Sequence, residues 1–330
     1  MLPRHRGVGI SPRAQSTHCE QANHKEKESR SWHGAAGYAC CPLMAIGELQ
    51  NRVAVITGAS SGIGAATARA MSRAGMRVVL AARRADRLEE LAAEIRTHGR
   101  EAVVVETDVA QAGSSEKLLA HATRAFGVVD VVFANAGYGS EKAVHDMSMA
   151  EIREMFEVNF FSATELITIA ARDMVAQNRR GHLLMTSSCL SKFTIPYLGM
   201  YAATKAAQSM VTRSMRFELA PHGIEVSSVH PVSTATEFFQ QASLRGGMDP
   251  KGKIVPDHAP KMFIQTPEQV ANAIVRCLRK PKSEVWTSLA VRLASGMINA
   301  FPGLYDIALR KQAKDMLHSQ KKRSNSLKNL

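Results

Sequence analysis

Residues 53–64, VAVITGASSGIG, constrain this chain of 330 residues more than any other segment. An apolar run of strand type enters a turn carrying Gly58, Gly62 and Gly64, and the pattern AATARAMSRAG that follows is helical. Gly58 permits a tight turn, while Gly62 and Gly64 let backbone come close to a bound group. A helix that starts at such a turn aims its first N–H groups and the positive end of its dipole at the turn, where a phosphate is stabilised. Together with a second strand-like run at 76–82, the segment opens a strand–helix–strand unit of the length a dinucleotide site requires. A glycine-rich turn with a purely structural purpose is the plain alternative.

The second strand, MRVVLAA, ends 18 residues past Gly64, near the position about 20 residues on where such folds read the dinucleotide's ribose. An acidic side chain there binds a free 2'-hydroxyl and repels a 2'-phosphate. This chain has Ala82, Arg83 and Arg84 instead. Guanidinium forks suit phosphate oxygens, so NADP(H) is expected in preference to NAD(H), which stays as the alternative. Arg83 is expected to read the phosphate, with Arg84 facing solvent.

A second constellation lies in YAATK, where Tyr201 and Lys205 stand four residues apart in a helical stretch and share one face. A phenol with a free pKa of about 10 is a poor acid at neutrality, and a fixed positive charge beside it favours the phenolate. The pair therefore suggests acid/base chemistry on oxygen, against the bland reading of a solvated helix face.

Taken with their order and spacing, these motifs resemble the short-chain dehydrogenase/reductase family in its compact single-domain form, over about residues 50–285. TGASSGIG is similar to that family's cofactor loop, which implies contacts from Gly58, Ser60, Gly62, Ile63 and Gly64. Asp108 and Val109 match an adenine-contacting pair, and Asn135, Ala136 and Gly137 match its NAG element. Asn159, Ser188, Tyr201 and Lys205 match its catalytic tetrad; Ser188 is preferred to Ser187 because it lies 13 residues before Tyr201. Pro231 and Thr236 match positions beside the nicotinamide. The chain departs from the pattern at Ala134, where an Asn is common, and at Val232, where Gly is usual and backbone freedom is expected to be lower.

The resemblance implies hydride exchange between a nicotinamide and a carbonyl carbon. Tyr201 would donate the proton, Ser188 would hold the substrate oxygen, Lys205 would lower the Tyr201 pKa and hold ribose hydroxyls, and Asn159 would position water. It implies a small carbonyl or alcohol substrate and a homodimer or homotetramer joined through helix 151–177. Two alternatives stay open. One is a 3-oxoacyl carrier-protein reductase whose Arg179 and Arg180 meet an acidic carrier; the other is a non-catalytic NADP(H)-sensing binding protein. For specificity, residues 189–200 and 237–265 are expected to build an apolar pocket from Cys189, Phe193, Tyr197, Phe238, Phe239, Met262 and Phe263.

Strand-like runs at 53–57, 77–82, 102–106, 129–134, 182–187, 224–229 and 284–287 alternate with helical segments, which predicts an α/β fold. It is a Rossmann-type, doubly wound parallel sheet of seven strands in a single domain with helices on both faces. The expected organisation is a disordered leader at 1–43 with Met44 as the physiological start, a catalytic domain at 44–290 and an apolar then basic extension at 291–330. Net charge is +13, but residues 1–43 carry +3 and residues 310–330 carry +6, leaving +4 for the core. No helix-turn-helix, zinc finger or basic–aromatic single-strand motif accompanies that charge, so no nucleic acid partner is expected. Cys19, Cys40, Cys41, Cys189 and Cys277 form no paired framework, which points to a reducing, cytoplasmic setting. His18, Cys19, His24, His33, Cys40 and Cys41 match no zinc-finger spacing, and no metal is expected. The apolar run 285–309 is broken by Arg292, Pro302, Gly303 and Asp306. It is expected to cover the substrate cleft or meet another subunit, with peripheral attachment to an anionic membrane as the alternative.

Overall fold

The computed structural model describes residues 48–247, 264–310 and 313–314. The chain divides into a unit Met1–Pro42 and a unit Leu43–Leu330, and every described residue belongs to the second. The leader, Met44, Met262, Phe263 and the tail beyond 314 lie outside the described residues.

Seven parallel strands form one sheet in the order β3-β2-β1-β4-β5-β6-β7. They are β1 (Val53–Thr57), β2 (Arg77–Ala82), β3 (Ala102–Glu106), β4 (Val131–Ala134), β5 (Gly181–Thr186), β6 (Ile224–His230) and β7 (Glu284–Trp286). The helices are α1 (Gly62–Arg73), α2 (Ala85–Thr97), α3 (Ser114–Phe126), α4 (Met149–Phe156), α5 (Ser162–Ala176), α6 (Gly199–Leu219), α7 (Glu237–Arg245), α8 (Pro267–Arg279) and α9 (Leu289–Ala300). β1 is buried at all five positions because helices cover both faces of a parallel sheet. On one face Ile56, Leu80 and Phe133 pack with Met71 of α1, Leu88 of α2 and Ile274 of α8. On the other, Val55, Val132 and Leu183 pack with Leu118 of α3 and Ile167 and Met174 of α5.

The winding direction reverses between β1 and β4, and the loops at the carboxyl ends of those strands part there to leave a crevice. This places the glycine loop, the 135–137 segment and the end of β5 around one opening.

The sequence pattern suggests one unbroken helix over 151–177, but the structure differs. α4 and α5 are joined by a wider, π-type turn at Glu157–Phe161 that contains Asn159. Such a turn leaves a backbone carbonyl without its usual intrahelical partner. The Asn159 carbonyl instead accepts from Gln208 Nε2 of α6 at 2.5 Å. Apolar periodicity runs through both helices and hides the extra residue.

Candidate active site

The crevice holds a cavity of about 550 Å³, within the range usual for small-molecule sites. Its walls include Gly58, Ser60, Gly62, Ile63, Asp108, Val109, Asn135, Ala136, Gly137, Ser188, Tyr201, Lys205, Pro231 and Thr236. Arg83 lies on the same wall, exposed to solvent. Of the residues matched to the cofactor loop and the catalytic tetrad, Gly64 and Asn159 are not among this lining.

Gly64 has a packing role rather than a ligand-facing one. A Cβ there would come within 2.2 Å of the Gly58 carbonyl, so only glycine lets α1 sit this close to the end of β1. Gly58 adopts φ +65°, the left-handed conformation that the tight turn needs. The departure at Val232 is harmless to the backbone, because Val232 is not among the positive-φ residues and simply lines the cavity.

A chain of hydrogen bonds ties the strand ends together. The N–H groups of Asn135 and Ala136 donate to Thr57 Oγ1 at 2.9 and 3.1 Å. Asn135 Nδ2 donates to the Thr57 carbonyl at 3.1 Å, and Asn135 Oδ1 accepts from Thr186 Oγ1 at 2.9 Å. The Thr186 carbonyl accepts from Lys205 Nζ at 2.7 Å. Thr186 reads in the sequence as an ordinary strand residue, and Thr57 only as the first residue of the glycine-loop motif. Only their place at the ends of β1 and β5 shows that they set the path from the glycine loop to Lys205.

Asn159 is fully buried. Its Oδ1 accepts from the Tyr138 N–H at 2.9 Å, and its Nδ2 donates to the Tyr138 carbonyl at 2.8 Å and Thr204 Oγ1 at 3.1 Å. A Cβ added to Gly137 would lie 3.0 Å from Asn159 Oδ1 and 3.4 Å from Lys205 Nζ, so this loop, Asn159 and Lys205 share one small space. Asn159 thus holds the segment 137–138 in place beside the lysine.

Ser187 and Ser188 have distinct roles. The Ser187 hydroxyl donates to the Lys205 carbonyl at 2.9 Å and joins β5 to α6. Ser188 Oγ accepts from the Leu190 N–H at 3.1 Å, and its hydroxyl beside Tyr201 acts to pull the phenol's pKa down. Burial acts the other way and is larger, so the Tyr201 phenol lies above its ordinary value. Burial also pushes Lys205 down to about 7. In this arrangement burial, rather than Lys205, dominates the Tyr201 pKa. Lys205 Nζ stands 5.6 Å from the Tyr201 ring centroid, is aimed at the Thr186 carbonyl, and is itself disfavoured as a charge.

Behind Ser188, His230 stacks on Trp286 with ring centroids 4.7 Å apart. Its Nδ1 lies 3.0 Å from the Ser188 carbonyl; because a carbonyl only accepts, Nδ1 carries the proton and Nε2 accepts from Ser228 Oγ at 2.8 Å. Burial pushes His230 down to about 4, so this neutral form persists at neutral pH.

At the ribose-reading position, the residue that turns into the cleft is Arg84. Its Nε donates to Ser60 Oγ at 3.2 Å and its Nη2 to Ser61 Oγ at 2.8 Å. Its Nη1 pairs with Glu237 Oε2 at 2.9 Å, and Arg87 pairs with the other Glu237 oxygen at 2.5 Å. The expectation that Arg84 faces solvent is corrected, because hydroxyls of the glycine loop and a carboxylate from α7 draw its guanidinium inward. Thr236 Oγ1 accepts from the Phe238 N–H at 3.3 Å and caps α7, placing Glu237 over the glycine loop.

α7 forms the opposite wall. The Phe238 ring lies 5.2 Å from that of Tyr201, and Phe239, Cys189, Ile195 and Leu198 add apolar lining. Arg245 closes the far end, with its guanidinium 3.9 Å from the Tyr138 ring centroid and paired with Glu154 at 3.1 Å. Phe193 and Tyr197 are not among the cavity's lining residues. Phe193 packs on Tyr305 at 6.0 Å, and Tyr197 is a left-handed corner at φ +69°. Among the described residues, no group of three or more His, Cys, Asp or Glu is placed to hold a metal ion.

A Rossmann-type sheet with a buried Tyr–Lys pair, a serine at the end of β5 and a glycine loop at the switch point defines a class of dinucleotide-dependent oxidoreductases. The sequence pattern of the short chain dehydrogenase family matches residues 52–245, and the chain belongs to that family. It is thus an oxidoreductase that acts on CH–OH groups.

Among relatives, glycine betaine reductase ATRR of Emericella nidulans is 35% identical over 240 residues, which are 72% of this chain and 18% of that much longer protein. An alcohol dehydrogenase from Thermococcus sibiricus, solved with 5-hydroxy-NADP, shares 34% identity at a TM-score of 0.60 and covers 72% of this chain and 96% of its own. A short chain dehydrogenase/reductase from Burkholderia phymatum, solved with NAD, shares 25% identity at a TM-score of 0.68 and covers 78% and 96%.

Proposed function

We propose that the chain is an NADP(H)-dependent oxidoreductase that interconverts a carbonyl and an alcohol on an apolar small molecule. The observation that carries the cofactor preference is Arg84, which lies across Ser60 and Ser61 of the glycine loop with Arg83 on the same wall. Arg84 and Arg87 share the Glu237 carboxylate, and Arg83 lines the same cavity wall, which supports a site for a 2'-phosphate. The solved similar structures were obtained with 5-hydroxy-NADP and with NAD, which supports a nicotinamide cofactor of either type.

The residues present fit such a cofactor: Gly58, at φ +65°, makes the tight turn, and Gly58, Gly62 and Ile63 line the cavity at the start of α1, where the first helical N–H groups suit a phosphate. When bound, a nicotinamide supplies or accepts the hydride. The rest is done by this chain. The Tyr201 hydroxyl, held protonated by burial, donates to the oxygen on which negative charge develops in reduction. Ser188 holds that oxygen, and the His230 contact with its carbonyl keeps the serine in place. Lys205, near neutrality and fixed by the Thr186 carbonyl, is poised to hand on a proton.

The apolar lining of Phe238, Phe239, Ile195 and Leu198 supports a hydrophobic substrate. The carrier-protein reading loses its docking residues. Arg179 and Arg180 precede β5 and so stand at the opposite end of the strand from Ser188, and Arg179 is bound to Asp173 and the Val129 carbonyl. Met210 and Phe217, exposed on α6, offer a face for self-association. The test is NADPH oxidation with a panel of hydrophobic ketones and aldehydes. Consumption driven by apolar members supports the proposal; turnover only with carrier-linked 3-oxoacyl groups contradicts it.

A further inference from the structure

The inner and outer faces of α9 differ sharply. Val291 and Ser295 are buried, Asn299 Nδ2 donates to the Lys192 carbonyl at 3.0 Å, and the Tyr305 hydroxyl donates to the Thr194 carbonyl at 2.9 Å. These contacts hold α9 and the helical stretch 302–310 against the loop that leads from Ser188 to Tyr201. The segment packs on that loop, and none of its described residues is among those lining the cavity.

The outward side carries Leu289, Leu293, Met297, Phe301, Leu304 and Ile307, which are 54–71% exposed. The first four recur every fourth residue, so they form one stripe. A contiguous apolar stripe of this size on a surface marks a docking site.

Charge indicates what docks. From 287 to 309 the charged residues are Arg292 and Asp306 alone, and from 310 to 330 the sequence holds seven Lys or Arg against one Asp. An apolar stripe followed by a strongly cationic segment is complementary to an anionic bilayer, where apolar side chains enter the headgroup boundary and basic ones meet lipid phosphates. A second copy of the chain is a poorer occupant, because each copy would bring the same cationic segment to the contact. The apolar face of α6, with Met210 and Phe217, is also available to a second copy elsewhere.

We propose that the α9 stripe docks this protein on the surface of an anionic phospholipid bilayer. No helix among the described residues is long and apolar enough to cross a membrane, so the contact is peripheral. It sets the mouth of the cavity near the lipid, since Ile195 and Leu198, which line the cavity, follow directly on the loop that α9 holds. The contact does not depend on which cofactor or substrate the cleft takes.

Flotation of the full chain with vesicles of phosphatidylcholine alone, or mixed with phosphatidylglycerol, tests this. Wild type is expected to float with the mixed vesicles, to lose binding at high salt, and to stay behind with phosphatidylcholine alone. Leu293→Glu combined with Met297→Glu is expected to lower vesicle binding at least about tenfold, while Met210→Glu on α6 binds as wild type does. Leu304→Glu, further along the stripe, gives the same reading if the double variant melts early. The proposal is overturned if wild type stays behind with both vesicles. It is also overturned if the stripe substitutions leave binding intact, or if they convert a dimer to a monomer by light scattering without any wild-type vesicle binding.

Discussion

The two sides of the cleft are built on different principles. The side formed by β1, β4 and β5 is a lattice of short hydrogen bonds, Thr57 to Asn135 to Thr186 to Lys205, in which almost every polar group is committed. The side formed by the 189–198 loop, α7 and α9 is made of apolar and aromatic contacts, such as Phe238 on Tyr201 and Phe193 on Tyr305. Hydrogen-bonded strand ends admit one geometry, whereas apolar contacts are non-directional and tolerate re-packing. The first side suits a ligand whose shape never changes; the second suits a pocket whose shape must differ between related enzymes.

Tyr201 sits where the two sides meet, so its loss gives the largest effect. Tyr201→Phe keeps the ring on Phe238 and removes the proton donor. Turnover is expected to fall by at least about 100-fold, the lower end of what a positioned acid contributes, while NADPH affinity stays within about twofold. Steady-state kinetics beside a binding titration checks this, and substantial remaining turnover would remove Tyr201 from its role.

A pair of glycine substitutions separates the two sides at matched chemistry. At Gly64 an added methyl meets the Gly58 carbonyl at 2.2 Å, a backbone atom that cannot yield; at Gly139 it meets the edge of the Phe238 ring at 2.7 Å, a side chain that can turn. Gly64→Ala should weaken cofactor binding about tenfold or more and lower the melting temperature. Gly139→Ala should leave cofactor binding alone and change KM. Equal effects on cofactor affinity would erase the distinction between the sides.

The smallest effect concerns pH. Below about pH 7 Lys205 is charged in both the folded and unfolded chains, and the burial penalty is fully present. Between about 7 and the ordinary lysine value of 10.5 the unfolded chain keeps a proton that the folded chain has released, so stability rises with pH across this window. Lys205→Met has no such dependence. The melting temperature of the variant relative to wild type should therefore be highest near pH 6 and decline toward pH 10; a constant difference would mean that the lysine is not disfavoured as a charge in the fold.

The same division governs what the sequence reveals. All seven strands fall within two residues of the ranges read from apolar runs, because the inner runs are buried on both faces and the edge runs β3 and β7 are short and partly buried. β4 begins at Val131, and just before it the Asp130 carboxylate accepts the Val53 N–H at 2.8 Å. The glycine loop and the Tyr–Lys spacing are legible because their function depends on backbone shape and on one helix face. The direction of Arg84 is not, because it is set by Glu237, 153 residues away. The wide turn at Asn159 is hidden for a similar reason, since its partner Gln208 lies in another helix. Phe193 and Tyr197 show the limit on the substrate side, where an apolar residue in the right segment packs outward as readily as inward.

The central proposal is that the cleft takes a 2'-phosphorylated dinucleotide beside Arg84, between β2 and α2, and calorimetric titration with NADPH and NADH tests it most directly. Wild type, Arg83→Ala and Arg84→Ala are compared as full chains. NADPH is expected to bind wild type at least about tenfold tighter than NADH, about 1.4 kcal/mol, and Arg84→Ala is expected to remove most of that difference while NADH binding persists. Arg83→Ala should have the smaller effect, because its side chain is exposed on the cavity wall. Equal or tighter binding of NADH by wild type contradicts the assignment of the phosphate site, and binding of neither contradicts the cofactor reading itself.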